Sequence, residues 1–302
     1  MELRATQQQK LLTFKKQKIM ENKKVWFVTG ASKGLGLTLV KKLLSKGNRV
    51  AATSRSVNDL SKAVGDNDNF LPLSVDLMSE ESVETAVNKT ISKFGQVDVV
   101  VNNAGYGMIG ALEELSDQES RENFDVNVFG SLNVIRKLLP QMRKQQSGHI
   151  FNISSIGGFS GNFPGFGIYC ATKFAVAGFT ESLAAEVKSF GIKATVVEPG
   201  YFRTEFLTSG SLAVPTNPID AYKDVRDSQT AHQNDINNQQ PGDPAKGCDV
   251  IIAAAESEHP PLHLFLGPDA YHVANLKIAD VQQDMETWKA LATATNFDEV
   301  EA

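Results

Sequence analysis

A chain of 302 residues, 41% of them hydrophobic, has enough apolar side chains for a full core and a length at which α/β proteins commonly form one domain. A formal net charge of −5, with no long basic block beyond the N-terminus, leaves neither nucleic acid nor an anionic membrane surface an obvious partner. Cys170 and Cys248 form no CxxC pair and the histidines show no HExxH spacing, so neither a disulfide framework nor a metal site is expected. No apolar run reaches the roughly 18 residues that span a bilayer, and a cytoplasmic protein without membrane association is expected.

The opening stretch "MELRATQQQKLLTFKKQKIM" is basic and Gln-rich and lacks the apolar core of a secretory signal. It reads as a flexible leader over residues 1–22, with an amphipathic targeting or membrane-surface segment as the alternative. From Lys24 onward, short apolar runs alternate with helical patterns. "VWFVTG" predicts a strand, "LGLTLVKKLLSKG" a helix closed by Gly47, and "NRVAATS" the next strand. The rhythm repeats with "FLPLSVD" before a helix near residues 80–94, then "QVDVVVNNAG", "HIFNISS" and "IKATVVEPG". Strands separated by crossovers of helical length predict a doubly wound parallel sheet of about seven strands, helices on both faces, over residues 23–268. Ligands of such sheets bind at the carboxyl ends of the strands. Residues 209–243, rich in Asn, Gln, Asp and Pro, predict a cover over that edge, within a lid of about 203–243. Beyond "LHLFLGPDA", a helical pattern in "VANLKIADVQQDMETWKALATATNF" makes residues 269–302 a helical extension of the same domain.

Two stretches carry chemistry. In "TGASKGLG", Gly30, Gly34 and Gly36 fall between a strand and a helix, where missing side chains let the backbone approach a pyrophosphate at the helix N-terminus. Glycines there also serve tight packing, so the pattern alone is a weak signal. In "GIYCATKFAVAGF", Tyr169 and Lys173 lie one turn apart on one face of an apolar, small-residue helix. An unpaired ammonium on a packed face is costly, so either Lys173 escapes to solvent along its stem or that face lines a site.

Taken in chain order, "TGASKGLG", "NNAG" (102–105), Asn127 in "FDVNVFG", "NISS" (152–155), "YCATK" (169–173) and "EPG" (198–200) resemble the short-chain dehydrogenases/reductases, in their compact single-domain branch, over about residues 24–266. The resemblance implies an enzyme that interconverts a carbonyl and an alcohol with a nicotinamide dinucleotide. Asn127, Ser155, Tyr169 and Lys173 would be its catalytic residues. Tyr169 would transfer a proton to or from the substrate oxygen. A free tyrosine, with a pKa near ~10, needs a neighbouring positive charge to do so near neutrality, and Lys173 would supply it while binding the nicotinamide ribose. Ser155 would hydrogen-bond the substrate oxygen, and Asn127 would hold a water linking the lysine to solvent. Ser155 stands one residue farther from Tyr169 than is common in the family, so the loop "IGGFSGNFPGFGI" carries an extra residue. It is chosen over Ser154 because it directly precedes "IGG", and Ser154 is expected to point away.

By the same resemblance the dinucleotide would contact Gly30, Ser32, Lys33, Gly34, Leu35 and Gly36 in the glycine loop. Asp76 and Leu77 would sit beside the adenine, with a helix cap the alternative for Asp76. Asn103, Ala104 and Gly105 would frame the cleft, Asn103 being the residue most expected to touch cofactor. Tyr169, Lys173, Pro199, Gly200 and Thr204 would complete the nicotinamide side, unless Thr204 caps the next helix. The second strand ends "AATSRS" with no carboxylate until Asp59, whereas Arg55 and Lys33 stand where they could meet a 2′-phosphate. NADP(H) is therefore expected, with NAD(H) the alternative. Phe159, Phe163, Phe166, Tyr201, Phe202, Phe206 and Leu207 suggest an apolar substrate pocket, a lid packed on the body, or a subunit contact. Ala171, Ala175, Ala177, Gly178, Ala184 and Ala185 would let a second helix approach, and relatives pair this helix, so a homodimer or homotetramer is expected. The function expected is thus NADP(H)-dependent carbonyl–alcohol interconversion on an apolar small molecule. A non-catalytic dinucleotide sensor and a 3-oxoacyl carrier-protein reductase are the alternatives.

Overall fold

The computed structural model describes residues 23–297. The leader expected over residues 1–22 lies outside them, as does the end of the chain. Strand β1 (Val25–Val28) is buried at all four positions, as a strand covered on both faces requires. Helix α1 (Gly34–Ser45) follows and returns the chain to β2 (Arg49–Ser54). Helix α2 (Val57–Val64), capped by the Ser56 hydroxyl, leads to β3 (Phe70–Ser74). Helix α3 (Glu80–Phe94) is bounded by the Ser79 cap and by a left-handed Gly95 with φ 85°, the start and stop chemistry that makes its ends legible. Strand β4 (Val99–Asn102) and the short β5 (Gly107–Met108) precede α4 (Asp117–Phe124), which opens with a reciprocal Ser116–Glu119 capping box.

A π-helical turn, Asp125–Phe129, joins α4 without a break to α5 (Gly130–Gln145). Strand β6 (Gly148–Ile153), helix α6 (Gly167–Val187) and β7 (Ile192–Pro199) complete the second half of the sheet's core. Strand β8 (Leu212–Ala213), helix α7 (Lys223–Thr230) and a second π-helical turn, Ala231–Ile236, lie in the segment expected as a cover. Helix α8 (Pro244–Glu256), β9 (His263–Leu266) and α9 (Pro268–Ala292) follow. Helix α9 starts earlier than its apolar pattern suggests because Pro268, with φ already fixed, occupies its first turn.

All seven strands of the main sheet pair in parallel in the order β3-β2-β1-β4-β6-β7-β9. The direction of winding reverses between β1 and β4, so the crevice at their carboxyl ends is the place where such a sheet takes a ligand. One apolar layer, including Leu39, Leu43, Ile251 and Ile252, packs α1 and α8 on one face; another, including Val83, Val87, Leu138 and Leu183, packs α3, α5 and α6 on the other. No helix among the described residues is long and apolar enough to cross a membrane.

A buried polar thread ties the second half of the sheet to α6. Asn102 donates to Asn152 at 2.8 Å, Asn152 donates to the Thr180 hydroxyl at 2.8 Å, and Thr180 donates to the Val176 carbonyl at 2.6 Å. Asn152→Ala leaves the Asn102 amide buried without its acceptor and should lower stability by about 1–3 kcal/mol. Thermal unfolding checks this: a melting temperature several degrees lower is expected, and an unchanged one contradicts the thread's role.

Candidate active site

The first wall of the crevice is made where β1 turns into α1. Gly30 and Gly34 have φ of +64° and +58°, which L side chains rarely adopt. A Cβ on Gly30 would come within 2.7 Å of the Ala104 Cα, and one on Gly36 within 2.5 Å of the Asn103 amide nitrogen. That amide donates to the carbonyls of Thr29 (3.0 Å) and Gly30 (2.9 Å), so Asn103 holds the glycine loop against β4 rather than facing the crevice with its amide. Lys33 flanks α1 in extended conformation and gives it no side-chain cap. The helix N-terminus with its partial positive charge therefore opens onto the crevice.

A cavity of about 720 Å³ runs from this loop to α6. Gly30, Ser32, Lys33, Gly34, Leu35, Arg55, Asp76, Leu77, Asn103, Ala104, Gly105, Pro199, Gly200 and Thr204 all line it, whereas Gly36 lies beneath the loop. Asp76 does not cap α3, a role that Ser79 takes; its carboxylate accepts from the Met78 amide at 3.0 Å. Thr204 does cap, accepting from the Phe206 amide at 3.3 Å at the start of a short 3-10 turn. At the end of β2 the exposed Arg55 guanidinium has no hydrogen bond or ion pair among the described residues, and the next carboxylate, Asp59, lies inside α2. Lys33 does not join Arg55: its ammonium donates to the Gly210 carbonyl at 3.0 Å. Glu205 is a further residue of the crevice, one that no motif or spacing in the chain singles out. Its carboxylate accepts from the Gly34 amide at 3.0 Å, across 171 residues of chain.

Deeper in the cavity, Tyr169 and Lys173 project from α6, only 8% and 5% exposed. Lys173 does not escape to solvent. Its ammonium lies 5.7 Å from the centre of the Tyr169 ring and donates to the Ile153 carbonyl at 2.9 Å, at the end of β6. Ser155 follows in extended backbone; its hydroxyl accepts from the Gly157 amide at 3.0 Å, and it stands close enough to the Tyr169 phenol to favour its ionised form. Ser154 is turned the other way, donating to the Lys173 carbonyl at 2.8 Å. Asn127 sits in the π-helical turn, where the wider winding carries its side chain toward β5. There it accepts from the Tyr106 amide (3.0 Å) and donates to the Tyr106 carbonyl (3.0 Å) and the Thr172 hydroxyl (3.1 Å).

Burial dominates the electrostatics. It raises the Tyr169 phenol above its ordinary value, with the Ser155 hydrogen bond opposing the shift, and it lowers Lys173 to about 8. Tyr169 is thus a protonated, donor-ready hydroxyl beside a cation close to its own titration, an arrangement that can protonate an oxygen placed between Tyr169 and Ser155.

The rest of the cavity wall is largely apolar. Phe166 and Phe206 flank the Tyr169 ring at 6.1 and 5.7 Å between centroids, and Phe163, Cys170 and Leu207 extend the surface. The expected aromatic set divides: Phe159 packs against Phe265 at 5.2 Å under the base of α9, and Phe202 lines the cavity while also packing on the core. The cover is anchored by Glu114, whose buried carboxylate accepts from the Ala111 amide (2.6 Å), the Ile219 amide (2.7 Å) and the Arg226 guanidinium (2.6 Å).

Residues 24–212 match the family model described as short chain dehydrogenase. The oxidoreductase BOA17 of Botryotinia fuckeliana is 36% identical over 274 residues, 90% of this chain and 99% of its own. A short-chain dehydrogenase of Streptomyces avermitilis has a similar solved structure, with a TM-score of 0.83 and 37% identity, over 90% of this chain and 100% of its own. Two further solved structures hold dinucleotides and are each 26% identical. One is a short chain dehydrogenase of Burkholderia cenocepacia with NADP (TM-score 0.68, 88% of this chain and 97% of its own). The other is a 3-ketoacyl-(acyl-carrier-protein) reductase of Brucella melitensis with NADH (TM-score 0.67, 80% and 96%).

Glu205 presents an anion to the α1 N-terminus, the end of the crevice suited to phosphates. Glu205→Gln keeps an acceptor for the Gly34 amide and removes the charge. The Kd for NADPH, measured by fluorescence titration, should fall about two- to fivefold, the scale of a ~0.3–1 kcal/mol charge effect at a helix terminus; unchanged or weaker binding contradicts this.

Proposed function

This chain belongs to the short-chain dehydrogenase/reductase family, and from that premise we propose that it reduces carbonyls to alcohols, and the reverse, on apolar small molecules, with NADP(H) preferred. The observation that carries the reading is the buried Tyr169–Lys173 pair facing a mostly apolar wall at the deep end of a cavity whose other end is a glycine cradle. The residues fit a dinucleotide: two left-handed glycines and an α1 N-terminus without a cap from Lys33 suit its phosphates, Gly105 leaves room beside the Lys173 ammonium, and Pro199 and Gly200 line the same cavity. When bound, the dinucleotide supplies or accepts the hydride.

The protein's own part is to place and neutralise an oxygen. Ser155 and Tyr169 hold the substrate oxygen between two hydroxyls, and Tyr169 delivers its proton there as negative charge develops. Lys173, fixed by the Ile153 carbonyl, stabilises the phenolate left behind when charged, opposing the effect of burial. Asn127 acts as a positioning residue, holding the Tyr106 backbone on the opposite side of the pair. In the alcohol-forming direction this polarity suits a protonated tyrosine; in the reverse direction the same lysine charge makes the phenolate attainable. Selectivity for the 2′-phosphate rests on Arg55, unpaired among the described residues at the end of β2, while the Lys33 ammonium is engaged by the Gly210 carbonyl.

Tyr169→Phe keeps the ring and removes the proton. With a mixed panel of aldehydes and ketones, kcat should fall at least ~100-fold while NADPH still binds; near-normal turnover contradicts the mechanism. Arg55→Ala should raise KM for NADPH by about ten- to a hundredfold, the equivalent of a charged hydrogen bond of about 1.5–3 kcal/mol, and barely change KM for NADH. A wild-type kcat/KM for NADH equal to or above that for NADPH rules out the preference.

A further inference from the structure

Away from the Tyr169–Lys173 pair, the substrate side of the cavity contains a short hydrogen-bond chain that proton transfer does not use. His232, in the π-helical turn Ala231–Ile236, lines the cavity and is 8% exposed. Its Nδ1 lies 2.7 Å from the Ser228 carbonyl and its Nε2 lies 2.9 Å from the Tyr201 hydroxyl. A carbonyl can only accept, so Nδ1 carries the ring proton. In the neutral imidazole Nε2 is then an acceptor, and the Tyr201 hydroxyl donates to it. Burial, with the nearby Asp269 carboxylate and Cys170 adding to it, holds the Tyr201 phenol above its ordinary value and keeps that proton in place. Tyr201 also lines the cavity, and its oxygen, with its proton donated to His232, offers lone pairs and no proton.

Phe166 sets the spacing. Its ring is edge-on to Tyr169 at 6.1 Å and to His232 at 4.8 Å, so the polar spot lies one aromatic ring beyond the reacting hydroxyl. Gln240, on the same wall and 1% exposed, has neither its amide nitrogen nor its oxygen paired among the described residues, which leaves more hydrogen-bonding capacity at that end.

We propose that Tyr201, with its direction fixed by His232, is a second recognition point, and that it selects substrates bearing a hydrogen-bond donor, a hydroxyl or an N–H group, remote from the carbonyl under reduction. The proposal rests on the carbonyl-reductase reading and names its substrate class. A donor there gains an acceptor. An ether oxygen in the same place meets lone pairs and loses its water without replacement, so discrimination acts in both directions.

Calorimetry on Tyr169→Phe protein loaded with NADPH, whose slowed turnover lets binding be read first, tests this with para-hydroxyphenyl butanone and its O-methyl ether. The phenol should bind about three- to tenfold more tightly than the ether. Adding Tyr201→Phe should close the gap, and adding His232→Leu, which frees the Tyr201 proton to donate, should shift preference toward the ether. NADPH fluorescence reports whether each variant is folded; if Tyr201→Phe does not retain NADPH, the His232→Leu shift decides. Equal binding of the two ketones, binding of neither, or a gap that survives both changes overturns the recognition point. Wild-type turnover of the same ketones is a separate readout: a binding gap without turnover contradicts the carbonyl-reductase reading and leaves the recognition point standing.

Discussion

A lysine only 5% exposed, its ammonium enclosed by protein, is the constraint around which the crevice is built. Removing Lys173 from water is costly unless acceptors replace the water, and the first is the Ile153 carbonyl, left facing the cavity where β6 ends. Gly105 follows from the same demand, since a Cβ there would come within 2.9 Å of the Asn127 oxygen and 3.5 Å of the ammonium. Ser154 fixes the backbone of Lys173 from the other side. Even so, burial wins over the acceptors and brings the lysine to about 8, where its charge responds to small changes in its surroundings. A group tuned this way at the carboxyl edge of a parallel sheet is suited to chemistry more than to packing.

The covering segment is tied to the body at several places, among them the pairing of β8 with β5 and the Thr216 bonds to Glu119. Glu205 and Lys33 hold it to the glycine loop, Glu114 holds it through Arg226 and Ile219, and Tyr201 reaches His232 above the substrate wall. The Glu114–Arg226 pair is partly enclosed, with the carboxylate fully buried, and its other hydrogen bonds satisfy the lone pairs that burial would leave exposed to no partner. One stretch of chain thus meets the glycine loop at one end of the crevice and the apolar wall at the other. Changes in this segment are expected to couple dinucleotide affinity to substrate affinity.

Much of this was legible in the sequence where the physics is local. Fully apolar runs such as "VWFV" marked buried parallel strands, Ser79 and Gly95 bounded α3, and the one-turn spacing of Tyr169 and Lys173 raised the question that the buried pair answers. What stayed hidden depends on contacts between distant parts of the chain. The π-helical winding at Asn127 has no signature in apolar spacing, because the residues on either side read as one helix. Asn103 and Lys33 line the cavity as expected, but the protein acceptors that the Asn103 amide and the Lys33 ammonium also reach are set by tertiary packing and could not be read from the sequence. Glu205 and Arg226 find partners 171 and 112 residues away, from a segment whose polar, Pro-containing sequence has no period to read.

Lys173 is a buried cation tuned close to physiological pH beside Tyr169. Lysine labelled at Cε allows each side chain to be followed by NMR as pH is raised, with Lys173→Met identifying the resonance. Because burial disfavours the charged form, Lys173 should lose its proton near pH 8, below the other lysines, and that resonance should vanish in the variant. A Lys173 that titrates with the solvent-exposed lysines near ~10.4 would contradict the account.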